Sequence, residues 1–260
     1  MTDWLALVIG NTRWHWSWFK DSELKQVWHT PHLSSQPAEV TIRHIWADQA
    51  PSELLELPIE SMDIWAVSVV PIQSQYLAHL STVRWIHHVP LPGIYPTMGL
   101  DRVITLWGAI QRYGWPVLII DCGTAITFTA GADGQFIGGA ILLGVRSQLS
   151  ALKDYTAALP KVSPPLALPP QWATDTPNAL QSGVINTILA GIHHFIQHWQ
   201  HHYPSTAILF TGGDGQYLYR LYKQQYPTTQ NQVPQNRTWF EPNLMFWGIA
   251  AYRNDATRAL

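Results

Sequence analysis

The chain has 260 residues, 47% of them apolar and only 12% charged, with a formal net charge of −2. Such a composition excludes a disordered chain and gives enough length for one large domain or two of about 130 residues each. The charge balance offers no basic footprint for nucleic acid, and no apolar run approaches the roughly 20 residues that span a bilayer.

The N-terminus has no positively charged leader and no cleavage pattern, so the expectation is a protein without a secretory signal. Leu5 to Ile9 is an apolar run that meets Gly10-Asn11-Thr12 and is followed by alternating Trp14, Trp16 and Trp18. This reads as a β-hairpin, and Lys25 to Thr30 adds a further strand. Residues 37–58 mix helix with loop. Ile64 to Val70 is a buried strand stopped by Pro71, Ser74 to Ser81 a helix, and Val83 to Val89 another strand. Alternating strands and helices point to an α/β fold. Pro92-Gly93 opens a loop that carries Tyr95 and ends in Met98-Gly99-Leu100-Asp101-Arg102, after which Val103, Leu106, Trp107, Ile110 and Tyr113 mark a helix face. Asp101 and Arg102 therefore sit at or just before a helix N-terminus. An acid there is a usual cap, whereas the adjacent Arg gives no capping benefit. The pair reads either as a cap or as a site that handles an anion or a hydroxyl.

The central stretch, Val117 to Thr129, is a second hairpin whose turn is Asp121-Cys122-Gly123-Thr124-Ala125. A turn of this composition suits a phosphate chain. Glycine lets a backbone N–H approach an oxyanion, threonine donates a hydrogen bond, and aspartate can hold a cation beside the phosphates. Aligning Gly10 with Gly123 gives a weak internal repeat with a period close to a domain length. Two similar halves, 1–114 and 115–260, would then each present a Gly/Thr turn to one phosphorylated ligand. The plainer alternative is two ordinary buried hairpins. Cys122 is the lone cysteine, which leaves no internal disulfide and suits a reducing, cytoplasmic compartment.

Gly131 to Gly134 is a turn, and Phe136-Ile137 begins a strand that ends in Gly138-Gly139-Ala140-Ile141-Leu142-Leu143-Gly144. Val145 to Leu159 reads as helix, Pro160 to Pro177 as a proline-rich loop, and Asn178 to Tyr203 as a long helix. The apolar stripe of that helix is Leu180, Val184, Ile188, Ile192, Phe195, Trp199 and Tyr203. His194 and His198 have metal-ligand spacing but lie off this stripe without an accompanying Glu, so they read as a solvated face. Ala207 to Phe210 is a buried strand running into Thr211-Gly212-Gly213-Asp214-Gly215, a turn that suits a nucleotide phosphate or adenosine. Leu244 to Tyr252 closes the chain as a helix, with Gly248 placed for close packing. The fourteen tryptophans read as core or interface filler.

Taken in order, Gly10-Asn11-Thr12, Gly99-Leu100-Asp101-Arg102, Asp121 to Phe128, Gly138 to Gly144, Thr211 to Gly215 and Asn243 to Ile249 resemble the type III pantothenate kinase family. The resemblance runs from about residue 5 to 252. It implies two actin-like (ribonuclease H-like) α/β domains related by an internal pseudo-repeat, and ATP-dependent phosphorylation of pantothenate. It further implies that Gly99, Leu100, Asp101 and Arg102 bind pantothenate, with Asp101 as catalytic base and Tyr95 as a further substrate contact. Gly10, Asn11, Thr12, Thr124, Gly212 and Gly213 would contact ATP, Asp121 a monovalent cation such as potassium or ammonium, and magnesium would bridge the phosphates. Thr176 would reach substrate across a homodimer interface. Two positions depart from the family pattern. Val8 stands where the family has Asp, which bears on metal handling, and Leu143 stands where it has Pro. The alternatives are a non-catalytic ATP-binding regulatory relative, or a kinase or phosphatase of the same superfamily acting on another small compound.

Overall fold

The computed structural model describes residues 3–33, 49–55, 61–227 and 237–258. They form two compact units, Met1–Arg112 with Leu244–Leu260, and Tyr113–Asn243.

The first unit is built on β1 (Asp3–Ile9), whose residues from Trp4 onward are all buried. A strand apolar on both faces belongs in the middle of a covered sheet. β2 (Arg13–Lys20) pairs antiparallel with β1, and β3 (Glu23–Pro31) antiparallel with β2. After a single helical turn, α1 (Ser52–Leu55), β4 (Asp63–Ser68) pairs parallel with β1 on its other side. Of the stretch 37–58, expected as helix and loop, residues 37–48 and 56–58 lie outside the described residues. One face of the sheet carries Leu5, Leu7 and Ile9 against Trp14, Trp16 and Trp28. Buried indoles need partners for their N–H groups. Trp14 Nε1 donates to Gln73 Oε1 at 3.0 Å and Trp16 Nε1 to Thr30 Oγ1 at 3.1 Å.

The helix expected over 74–81 is displaced. A short α2 (Pro71–Ser74) is followed by a 3₁₀ turn at Gln75–Leu77. Pro71 starts it, because a missing N–H costs nothing in a first helical turn. β5 (Val83–Trp85), parallel to β4, is also shorter than the expected 83–89. Val89 and Leu91 are buried all the same, so their apolarity serves packing rather than strand pairing.

α3 (Leu100–Tyr113) and the closing helix of the chain meet through glycines. A Cβ on Gly108 would lie 2.9 Å from Gly248 Cα, closer than side-chain carbon tolerates. Arg253 of the closing helix also reaches Asp63 at 3.3 Å and lies 4.6 Å over the Trp4 ring. These contacts group the closing helix with the first unit.

The second unit repeats the strand order. β6 (Val117–Cys122) pairs antiparallel with β7 (Ala125–Ala132), and β7 with β8 (Gln135–Leu143). α4 (Val145–Asp154) stops short of the expected Leu159, and α5 (Thr176–His202) follows a proline-rich loop. β9 (Ala207–Thr211) lies parallel to β6, and after α6 (Gly215–Gln225), β10 (Thr238–Phe240) lies parallel to β9. The chain closes with α7 (Leu244–Arg258). The sheets read β3-β2-β1-β4-β5 and β8-β7-β6-β9-β10, with the same parallel and antiparallel senses. On α5, Ile196 rather than Phe195 continues the buried stripe. Phe195 is 40% exposed and stacks on Phe128 at 4.1 Å between ring centres. No described helix is long and apolar enough to cross a membrane.

Candidate active site

In the first unit, Asp101 and Arg102 fall in the first turn of α3, where Gly99 O accepts from Arg102 N at 3.1 Å and from Val103 N at 3.2 Å. Asp101 does not cap at N3. Its Oδ1 accepts from the very next amide, Arg102 N, at 2.8 Å. The carboxylate occupies the space a side chain on Gly99 would need, since a Cβ built there lies 2.5 Å from Oδ1. Gly99 is therefore glycine for the sake of Asp101. Burial lifts the Asp101 pKa above the ordinary aspartate value, partly offset by the Arg102 amide bond and the Arg102 charge. Arg102 is itself buried, and its Nη1 donates to Tyr95 Oη at 3.1 Å. The loop and the helix start thus bring Tyr95, Gly99, Asp101 and Arg102 together. Leu100, half-buried, is the first helical residue between them.

The Gly10-Asn11-Thr12 turn lies in the same unit. Gly10 N donates to Arg13 O at 3.1 Å, which closes the hairpin and leaves Asn11 and Thr12 on the surface. Val69 links this turn to the Gly99 loop. Its amide donates to Ile9 O at 3.0 Å, and its Cγ1 lies 3.7 Å from the position of a Gly99 Cβ. Val8 is buried in β1, opposite His15 of β2 and Val67 of β4.

In the second unit three backbone turns gather at the end of β6. Asp121 ends β6. Gly123 N donates to Ala125 O at 2.9 Å, and Thr124 O accepts from Gly144 N and from Ser147 Oγ, each at 2.8 Å. Thr124 is exposed. Gly212 has φ +85, and a Cβ on it would run into the Asp121 carboxylate and come within 2.8 Å of the Cys122 backbone, so only glycine serves there. Asp214 N donates to Cys122 O at 2.8 Å, which folds Gly212 and Gly213 back over the end of β6. Across the sheet, Asp121 pairs in register with Thr127 of β7 and with Thr211 of β9. Cross-strand partners share a face. Both threonine hydroxyls are buried without a hydrogen-bond partner. A carboxylate flanked by two unsatisfied hydroxyls is an oxygen-only donor set, the kind a hard cation takes. The sequence marks Asp121 by its motif but not Thr127 or Thr211, because only the strand register carries them to the same face.

Thr176 stands elsewhere in that unit, as the first residue of α5 behind the cap Asp175, whose Oδ1 accepts from Asn178 N at 3.0 Å. A shallow groove beside it is lined by Leu159, Thr174, Asp175 and Leu180 and contains none of the glycine-turn residues. His194 and His198 are exposed, and no cluster of three metal-ligating side chains occurs among the described residues.

Two five-stranded sheets of one strand order, each with a glycine turn after its first strand, define an actin-like α/β fold of the kind found in sugar kinases and related ATPases. The solved inorganic polyphosphate/ATP-glucomannokinase of Arthrobacter sp. strain KM superimposes with TM-score 0.50 at 14% identity, covering 98% of this chain and 100% of that one. A Campylobacter jejuni structure, described as a conserved Baf family transcriptional activator, gives 0.64 at 18% identity, covering 98% and 99%. At these identities the likeness carries the fold alone. The sequence profile of the type III pantothenate kinases matches residues 4–198. A "Type III pantothenate kinase" of Synechococcus sp. (strain JA-2-3B'a(2-13)) is 39% identical over 259 residues, 96% of this chain and 89% of that protein. The chain belongs to the type III pantothenate kinase family.

Proposed function

We propose that the protein transfers the γ-phosphate of ATP to the primary hydroxyl of pantothenate, giving 4'-phosphopantothenate in the first step of coenzyme A biosynthesis, in the cytoplasm. The observation that carries this reading is the half-buried Asp101 carboxylate beside the Arg102–Tyr95 pair. Asp101 accepts the hydroxyl proton as the oxygen attacks, and a pKa raised by burial makes it a better base than a solvated aspartate. Arg102, its guanidinium fixed by Tyr95, holds an anionic group of pantothenate. Gly10, Asn11 and Thr12 in the first unit, and Thr124, Gly212 and Gly213 in the second, contact ATP. Phosphoryl transfer asks for positioning and charge stabilisation more than for covalent chemistry.

Asp121, Thr127 and Thr211 suit a potassium or ammonium ion, which would supply positive charge beside the phosphates. Magnesium would find no carboxylate at Val8 and would rely on the phosphates and water, as this ion commonly uses few protein ligands.

A coupled assay of ADP release with and without pantothenate tests the reading, with the product identified by mass. Turnover that depends on pantothenate and rises with potassium at fixed ionic strength is expected. Thr211→Val should raise the potassium concentration for half-maximal rate. ATP binding with no turnover on pantothenate would overturn the kinase reading in favour of a nucleotide-binding regulatory protein.

A further inference from the structure

Three histidines surround the Gly10 turn, and the proposed reaction uses none of them. His15 on β2 and His29 on β3 are register partners, with Nδ1 to Nδ1 at 3.1 Å and the rings edge-on at 4.8 Å. His32, just past β3, places Nε2 2.8 Å from Gly10 O. A carbonyl only accepts, so His32 carries its hydrogen on Nε2. His15 Nε2 faces the turn itself, 3.4 Å from where a Gly10 side chain would begin.

We infer that His15, His29 and His32 form with Arg13 a proton-accepting cradle beside Gly10-Asn11-Thr12, so that binding of a nucleotide phosphate at this turn is accompanied by uptake of a proton onto the histidines. The inference rests on the reading of that turn as an ATP contact. In a contact between two Nδ1 atoms one ring donates and the other accepts, so the donor ring keeps an open lone pair on Nε2. His29 is the exposed member of the pair. As donor, it gains the proton at its outward Nε2 without losing the contact. His15, as acceptor, then has its own hydrogen on Nε2, the nitrogen directed at the turn, where it can donate to a phosphate oxygen.

Without an anion the cradle resists charging. The groups acting on His15 are His29 and His32 from the β3 side and Arg13 from the start of β2, all of them basic. Its β1 neighbour, Val8, is apolar. Burial and these neighbours hold His15 down to about 3 and His29 below the usual imidazole value. A bound phosphate supplies the missing counter-charge and reverses that bias.

The test is calorimetric titration of the protein with magnesium-ATP near pH 6 in buffers of different ionisation heat, comparing wild type with His29→Gln. Protonation of the nucleotide itself is common to both proteins and cancels in the comparison. Wild type should take up more protons per ATP than His29→Gln, with the difference at most about one, which corresponds to at most about tenfold in affinity per pH unit. Inorganic phosphate alone should reproduce part of the difference and pantothenate alone none; a difference with pantothenate would assign the cradle to the wrong substrate and overturn the inference. Imidazole NMR on the wild type supplies a second readout, in which the His29 ring should titrate at higher pH with ATP bound. ATP binding with equal uptake in both proteins and unmoved imidazole titrations would remove the inference and leave the turn assignment intact. Absence of ATP binding to the wild type would remove the turn assignment and the inference with it.

Discussion

At the scale of the residue, Asp101 shows how position makes chemistry. Its first-turn location would suit a cap, yet its side chain bonds the adjacent amide and packs into the space that Gly99 leaves open. Replacing it by Asn keeps that shape and removes the proton acceptor. Removal of a general base costs about 10²–10⁴ in rate, so Asp101→Asn should lower kcat by that order while the ATP dissociation constant hardly moves. Near-normal turnover would reduce the residue to a structural element. Because burial raises the pKa of Asp101, the acid limb of the wild-type kcat/KM profile should lie above the ordinary aspartate range.

At the scale of the element, Gly108 and Gly248 fix how α3 lies against α7. A Cβ on Gly248 would drive into the Ile104 carbonyl, which rigid helix backbone cannot yield cheaply. Gly248→Ala should therefore destabilise by about 1–3 kcal/mol, the usual cost of overpacking, despite alanine's better helix propensity. An unchanged denaturant midpoint would show that the helices can part at no cost. The crossing also illustrates what the sequence discloses. The two hairpins, α3 and the strand before Gly212 are legible because apolar runs and turn residues act locally. The lengths of β5 and α2 are not, because Val89 and Leu91 are apolar for packing that only the folded sheet defines. Phe195 and Ile196 are adjacent and both apolar, so their order on the α5 face depends on the exact helical phase. Asp121 announces itself by motif, whereas Thr127 and Thr211 join it only through strand register.

At the scale of the whole molecule, protonation bears on stability. An imidazole whose folded-state pKa lies below its unfolded value makes the unfolded chain bind the extra proton, so stability falls as pH drops through that interval. For His15 the interval runs from 6.5 down to about 3, and His29 and His193 act in the same direction. The melting temperature should decline below pH 6.5, and less steeply in His15→Gln; identical slopes would take His15 out of the account. Assembly offers the other whole-molecule prediction. Tyr155, Leu166 and Trp172 are each at least 86% exposed in or beside the segment that leads to Thr176. Large apolar side chains so exposed favour a partner surface. With a homodimer in which Thr176 serves the neighbouring subunit's substrate, a Thr176→Ala chain and an Asp101→Asn chain fail for different reasons. Mixing the two inactive proteins and allowing exchange places one intact Thr176 beside one intact Asp101 in each heterodimer. About half of the subunits would be in heterodimers after random exchange, each with one good site of two, so recovery should approach a quarter of wild-type activity. Failure to recover activity after exchange has been verified by mass-tagged subunits would mean that each chain completes its own site.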